Sequence, residues 1–447
     1  MTPAPLIVAA DTFAARQQMS LSLGWHIVIA CLGVGFPIVI LTAEWLGMRG
    51  DADAARLARR WAKAFGVLFA VGAVSGTILS FEFGILWPGL MGTFGDVWGL
   101  PFAIEGIAFF LEAIFLGIYL YGWDRFAPRT HFLVGLPIPV AGVASALFVV
   151  TANAWMNQPS GFDVSHYLAT GKVRGVDPWA AMFNPATPPE TTHMVFAAIM
   201  VAGFAVASVY AWGLLHGRRD RYHRLGFLIP FVIAAVATPV QIGLGDWAAR
   251  FLYERQPVKF AALEGVMETT TRAPLTVGGI YVDGEVRYGV KIPAALSFMA
   301  DRDVDAVIHG LEEVPADERP PVGVVRTAFQ GMVGIGSLLL VLGLWLGVSW
   351  LRRRDLPRSR VFLWGALAAG PLAAVALELG WVTTEVGRQP WIVYQVMRVE
   401  EAVTQASGIR FGYYALVVVY AVLTVATVAA LRHLAREGNT ARPEVEQ

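Results

Sequence analysis

Apolar positions in this chain gather into runs of helical, membrane-crossing length. Crossing a bilayer as a helix takes about 20 apolar residues. Runs of that kind fall near 23–47, 62–83, 99–122, 132–154, 191–215, 226–245, 326–350, 361–383 and 411–432. Nine spans place the termini on opposite sides of the membrane. No fixed-period repeat or low-complexity tract interrupts the series. The pattern predicts an all-α integral membrane protein, with transmembrane helices 1–6 in 1–245, an outer domain in 246–325, helices 7–9 in 326–435 and a tail in 436–447.

Composition agrees. Apolar residues are 56% of the chain and charged residues 15%, against roughly a quarter charged in soluble domains. The net charge of zero argues against a nucleic-acid partner. One cysteine, Cys31, excludes a disulfide framework, a CxxC metal site and a CxxCH haem attachment. The first residues lack a basic region and a small-residue cleavage site, so the N-terminal stretch is expected to be retained.

Lys and Arg orient the spans. The loops 48–61, 123–131, 216–225 and 351–360 and the C-terminal tail fall on one face, with runs such as RLARRWAK and RRRDLPRSR; counted through Lys63 and Arg442 they hold 19 of the 34 basic residues. The short loops of the other face hold six, and the long segment 246–326 holds the remaining nine. Basic loops stay inside, and long segments are exempt. The N-terminus is therefore expected outside and the C-terminus in the cytoplasm, with 246–326 and 383–410 outside.

Ionisable groups inside spans are costly and mark function. Of eight histidines only His26 and His193 lie clearly within spans. With Met332 and Glu385 they sit within about 10 Å of the outer boundary at 1.5 Å per residue. Four ligand-type side chains from four helices thus share one layer. Histidine plus methionine suits a low-spin haem, whose thioether ligand raises its potential. His26 and Glu385 would then be single ligands to irons that keep an open position. Two intramembrane histidines are too few for a bis-histidine cytochrome b or a haem–copper oxidase. In "PFAIEGIAFFLEAIF", Glu105 and Glu112 are seven residues apart, two turns along one helix face, with Glu112 the deeper. Two carboxylates in line suggest a proton relay, and Glu378 repeats the spacing below Glu385.

Three motifs carry a family resemblance: "GRQPW" at 387–391, "AIEG…FFLE" in the third span and "ARQQMSLSLGWH" at the start of the first. With them the chain resembles subunit I of cytochrome bd-type quinol oxidases from about Arg16 to its last span. The resemblance implies quinol oxidation coupled to reduction of O2 to water, and three haems near the outer face: a low-spin haem b on His193 and Met332, and a high-spin haem b with a haem d or a further haem b on His26 and Glu385. It also implies that Glu105 and Glu112 line the oxygen site and its proton path, and that Trp381 lies between haems. Lys259 and Glu264 in "KFAALEG" match the quinol-binding pair of the so-called Q-loop, here of the short class. The usual partner is a second membrane subunit, subunit II; a small single-span accessory subunit is left open. One departure is Gln330, where the family often has an arginine two residues before the haem methionine.

The run "TTEVGRQPWIV" reads accordingly. Glu385 offers an oxygen to an iron, Arg388 offers bidentate contact to propionates, Pro390 ends the helix and Trp391 sits at interface depth. Two other classes compete: a proton-coupled transporter, and a haem cytochrome that passes electrons on without reducing oxygen. Transporters place their polar residues at the midplane, and here they form an outer layer.

Overall fold

A computed structural model describes residues 5–440, with side-chain surroundings for 12–436. Residues 1–4 and 441–447, which include the end of the expected tail and Arg442, lie outside the described residues. Among the described residues nine helices are long and apolar enough to cross a membrane. We label them α1 (Pro5–Met48), α2 (Ala52–Leu86), α3 (Pro88–Gly122), α4 (Pro128–Asn157, broken at Leu136), α5 (Thr187–Leu215), α6 (Arg221–Arg255), α7 (Val322–Arg353), α8 (Arg360–Val386) and α9 (Ile409–Thr440).

The nine spans read from hydropathy are all present, but the helices outrun them. They run from 27 residues in α8 to 44 in α1, where about 20 suffice to cross the hydrocarbon. Hydropathy reports only the lipid-facing part; backbone hydrogen bonding carries a helix on until a cap or a proline stops it. Thus α6 continues ten residues beyond 245 to Arg255, and Glu385, expected just past span eight, lies in the last turn of α8. At the other ends, Asp51, Asp220 and Ser359 cap α2, α6 and α8 by accepting from backbone N–H groups.

The arginine-rich loops do meet at one end of the bundle. Arg59 pairs with Asp124, Arg224 with Asp355 and Arg221 with Asp51 (2.5 Å), while Arg60 donates to the Ala435 carbonyl at 2.6 Å. The opposite end carries the segment between α6 and α7. It opens with a short helix (Pro257–Glu264) and folds into two antiparallel pairs, β1 (Leu275–Val277) with β4 (Val290–Ile292) and β2 (Ile280–Val282) with β3 (Glu285–Arg287). A third pair, β5 (Trp391–Val393) with β6 (Met397–Arg398), follows α8.

Small residues set the closest helix contacts, as lipid-embedded packing favours. A Cβ added at Gly35 of α1 would lie 2.6 Å from the Ala198 carbonyl of α5. One at Gly203 of α5 would lie 2.6 Å from the Pro230 carbonyl and 2.8 Å from Ala234 Cβ of α6. Overpacking of this kind costs about 1–3 kcal/mol. Gly203→Leu should therefore lower the thermal unfolding midpoint in detergent, whereas Gly33→Leu, with open space around it, should leave it nearly unchanged.

Candidate functional site

Three of the four candidate iron ligands face a glycine of a neighbouring helix. A Cβ at Gly76 of α2 would sit 3.1 Å from His26 Cε1, one at Gly245 of α6 3.4 Å from His193 Cε1, and one at Gly380 of α8 3.1 Å from Met332 Sδ. The His26 ring is oriented by Ser75, whose hydroxyl lies 2.8 Å from Nδ1. His193 Nε2 lies 3.1 Å from the Gln241 amide nitrogen, while His193 Nδ1 and Gln241 Oε1 are buried without partners. Their helices, α5 and α7, both pack against α6 and α8, so His193 and Met332 approach one four-helix group from two members. Trp381, on α8, packs against the core of this region.

Glu385 belongs to a denser network. Its two oxygens accept from Asn153 and, at 2.5 Å, from Arg388. Arg388 is 2% exposed, yet the Glu385 side chain keeps 32% of its surface open. Asn157, wholly buried, joins this pair to others. Its Oδ1 accepts from Arg388 at 3.1 Å and from Lys259 at 2.8 Å, and its Nδ2 donates to Glu190 at 2.9 Å and Asn153 at 3.0 Å. Burial and the nearby Arg388 cation push the Lys259 ammonium well below its ordinary pKa, against the pull of Glu190 and Glu385. The GRQPW turn holds the arrangement: Gly387 N–H bonds to the Thr383 carbonyl, Trp391 N–H to the Arg388 carbonyl, and Gln389–Pro390 is cis. Arg16 Nη2 donates to Gln389 Oε1 at 3.1 Å, tying the first motif to the last.

Glu105 and Glu112 project from α3 toward α4. Ser145 donates to Glu105 at 2.8 Å, and the Glu112 carboxyl is buried against Gly142 with Oε1 unpartnered. Two turns further along α3, Tyr119 donates to Glu44 at 2.5 Å, and His131 Nδ1 meets the other Glu44 oxygen at 2.7 Å. His131, one of the six histidines that the hydropathy pattern leaves outside the clear spans, is 3% exposed. Glu378 approaches Gly24 of α1.

Glu264 ends the short helix, nearly buried, with Oε2 unpartnered; burial raises its pKa to about 7, opposed by the Arg326 cation. Arg326, in the first turn of α7, donates to the carbonyls of Glu264, Thr276 and Gly278, each at 2.8 Å. One turn on, Gln330 Oε1 accepts from Gly278 N–H at 3.0 Å. Gln330, noted as a departure, thus helps anchor the strand-bearing segment. Lys259 and Glu264, read as one pair, go to separate surroundings.

Sequence reasoning missed Asn153, Asn157, Glu190, Arg326 and the Glu44–Tyr119–His131 group. Glu190 carried a signal: it stands three residues before His193 in "PPETTH", on the same face. Nothing in the chain's pattern marks Asn157 as the meeting point.

An imidazole and a thioether are haem-iron ligand types, and a carboxylate is an anionic oxygen donor. Among the described residues no three His, Cys, Asp or Glu side chains converge as a bare metal ion would need. Each candidate ligand stands singly, with glycine-made space beside three of them and an open face on the fourth. These residues fit haem. The class defined by the fold is a multi-pass helical membrane protein. Residues 14–439 match the family described as cytochrome bd terminal oxidase subunit I, and the chain belongs to that family; it is a quinol oxidase subunit of the bacterial inner membrane, working within a multi-subunit complex.

Among its relatives, a Bacillus subtilis chain provisionally named a cytochrome bd menaquinol oxidase subunit I is 37% identical, the alignment covering 96% of this chain and 97% of that one. The cytochrome bd-II ubiquinol oxidase subunit 1 of Escherichia coli is 28% identical, with 96% of each chain covered. The bd oxidase structure from Geobacillus thermodenitrificans superposes with a TM-score of 0.88 at 38% identity, covering 96% of this chain and 98% of that one. A transporter and an electron-only cytochrome find no support in these likenesses.

Proposed function

We propose that this chain holds three haems near the end of the bundle that carries the 246–325 segment, oxidises quinol at that outer face and reduces O2 to water with protons drawn from the cytoplasm. The observation that carries the reading is the setting of His193 and Met332 in one four-helix group, each beside a glycine. They would hold the low-spin haem b; His26 and Glu385 would hold a high-spin haem b and a haem d or further haem b. Bound haem supplies one-electron transfer and oxygen chemistry, and the protein sets position and proton access. Arg388 would meet propionates on the side where its Nε is unpartnered, and Trp381 would lie between haems.

Glu105, Glu112 and Tyr119 repeat every seven residues along α3, about 10 Å per step. Tyr119 and Glu44 extend the row toward the arginine-rich end, which the basic-residue bias assigns to the cytoplasm. Protons move from the cytoplasmic end along this row toward the haems while quinol protons leave outside, so charge separates without a pump, each crossing storing about 2.3 kcal/mol per 100 mV. The 246–325 segment would receive quinol, with Glu264 as its proton acceptor. Subunit II, and any small single-span subunit, would cover lipid-facing side chains such as Phe81, Ile107 and Phe110, which are exposed here.

Three tests follow the three roles. Met332→Leu nearly conserves volume and removes the thioether; one haem should change from low-spin to high-spin in the optical spectrum, and an unchanged low-spin band would identify another ligand. Glu112→Gln keeps shape but cannot release a proton. Haem content should stay near normal while turnover, and charge separation in proteoliposomes, fall by about a hundredfold, the scale of a lost acid–base group; near-normal turnover would route protons elsewhere. Quinol oxidation should rise as pH climbs through about 7, where the Glu264 carboxyl loses its proton and becomes able to accept one. Glu264→Gln should abolish that rise but spare oxygen reduction driven by an artificial donor.

A further inference from the structure

We infer that Ser75 is a positioning residue for His26: its oxygen accepts the hydrogen on Nδ1 of the ring, which leaves Nε2 as the bare nitrogen for iron. The inference rests on the reading of His26 as an iron ligand. A hydroxyl has one hydrogen to give and two lone pairs with which to accept. The hydrogen of Ser75 is committed within its own helix, α2, where Oγ donates to the carbonyls of Val71 at 3.2 Å and Gly72 at 3.1 Å. The same oxygen meets His26 Nδ1 at 2.8 Å. With its hydrogen spent on the helix, it is the acceptor in that contact. Nδ1 then carries the ring hydrogen, and a neutral imidazole protonated at one nitrogen is bare at the other. Ser75 is fully buried, which keeps bulk water from competing for either bond.

Two consecutive residues of α2 build the seat. Ser75 holds one edge of the ring, and Gly76 makes room beside it, for a Cβ there would lie 3.1 Å from His26 Cε1 and 3.6 Å from Nε2. His193 is arranged otherwise. Its Nδ1 is buried without a partner among the described residues, and its Nε2 lies 3.1 Å from the Gln241 amide nitrogen. An acceptor on the far nitrogen of a ligating histidine fixes the ring and raises its basicity toward the metal. A more basic ligand favours the ferric state and so holds the potential of its iron down. The two intramembrane histidines therefore differ as ligands, and Ser75 is the source of the difference on the side of His26.

The test uses the purified oxidase complex and reads the iron–histidine stretching band of the reduced high-spin haem by resonance Raman, with its midpoint potential by redox titration. Ser75→Ala removes the acceptor and little else. The band should move to lower frequency and the potential of that haem should rise, while affinity for it falls about tenfold, the low end for an outer-shell partner of a metal ligand. The low-spin band should stand. Ser75→Thr keeps the hydroxyl oxygen and should restore both readings. Ser80 also donates from Oγ to a carbonyl of α2, that of Gly76 at 2.9 Å, and the Ser80→Ala complex should match the wild type. An unmoved or raised frequency in Ser75→Ala overturns the inference, as does an equal shift in Ser80→Ala or a Ser75→Thr complex that behaves like Ser75→Ala. If Ser75→Ala fails to assemble, Ser75→Cys, similar in size and a weaker acceptor, decides on the same two readings: a lowered frequency supports the inference and an unmoved one overturns it. A wild-type complex with no iron–histidine band would instead sink the reading of His26 on which the inference stands.

Discussion

A charged side chain buried among apolar groups must find its counter-charge and its hydrogen bonds within the protein. At one end of this bundle a single amide, that of Asn157, meets much of that demand. It links the end of α4 to the first turn of α5 through Glu190, to the turn after α8 through Arg388, and to the short helix before the strands through Lys259. Four segments distant in sequence are fixed relative to one another because none of their charges is satisfied alone. The last turn of α8, and with it Glu385, inherits that order.

Helix length explains why the site lies where it does. Spans that stopped at the edge of the hydrocarbon would leave Glu190 and Glu385 in loops, where water screens charges and positions are loose. Here α5 starts four residues before the apolar run, and α8 continues three residues beyond it. Both carboxylates therefore ride on rigid backbone at the rim of the membrane, where low dielectric strengthens each interaction.

What could be read from the sequence follows the same division. The nine spans and the grouping of arginine-rich loops were legible because hydropathy and charge bias are summed over many residues. Candidate ligands such as His26, His193 and Met332 stood out because lone polar or sulfur-bearing side chains at one depth are rare. The Asn157 network was not legible. Its members come from four places in the chain, and an asparagine in a membrane helix has no periodicity to betray it. Lys259 and Glu264 form a pair only through the family resemblance of KFAALEG, and the short helix that carries them directs them to different neighbours. The hairpins of the 246–325 segment escaped notice because three-residue strands carry too few alternations to register.

Arg326 and Gln330 give the start of α7 an unusual grip on what precedes it. Together they bind the Glu264 carbonyl and both the donor and acceptor of Gly278. Met332 follows Arg326 by six residues, about 9 Å along the same rigid rod. A helix cannot turn at one point and stay still at another so near. Any roll of α7 that reorients the thioether must drag the strand-bearing segment with it, and any pull on that segment must reach the sulfur. The two ends of this short lever form one mechanical part, although one is a membrane-embedded sulfur and the other a loop in water.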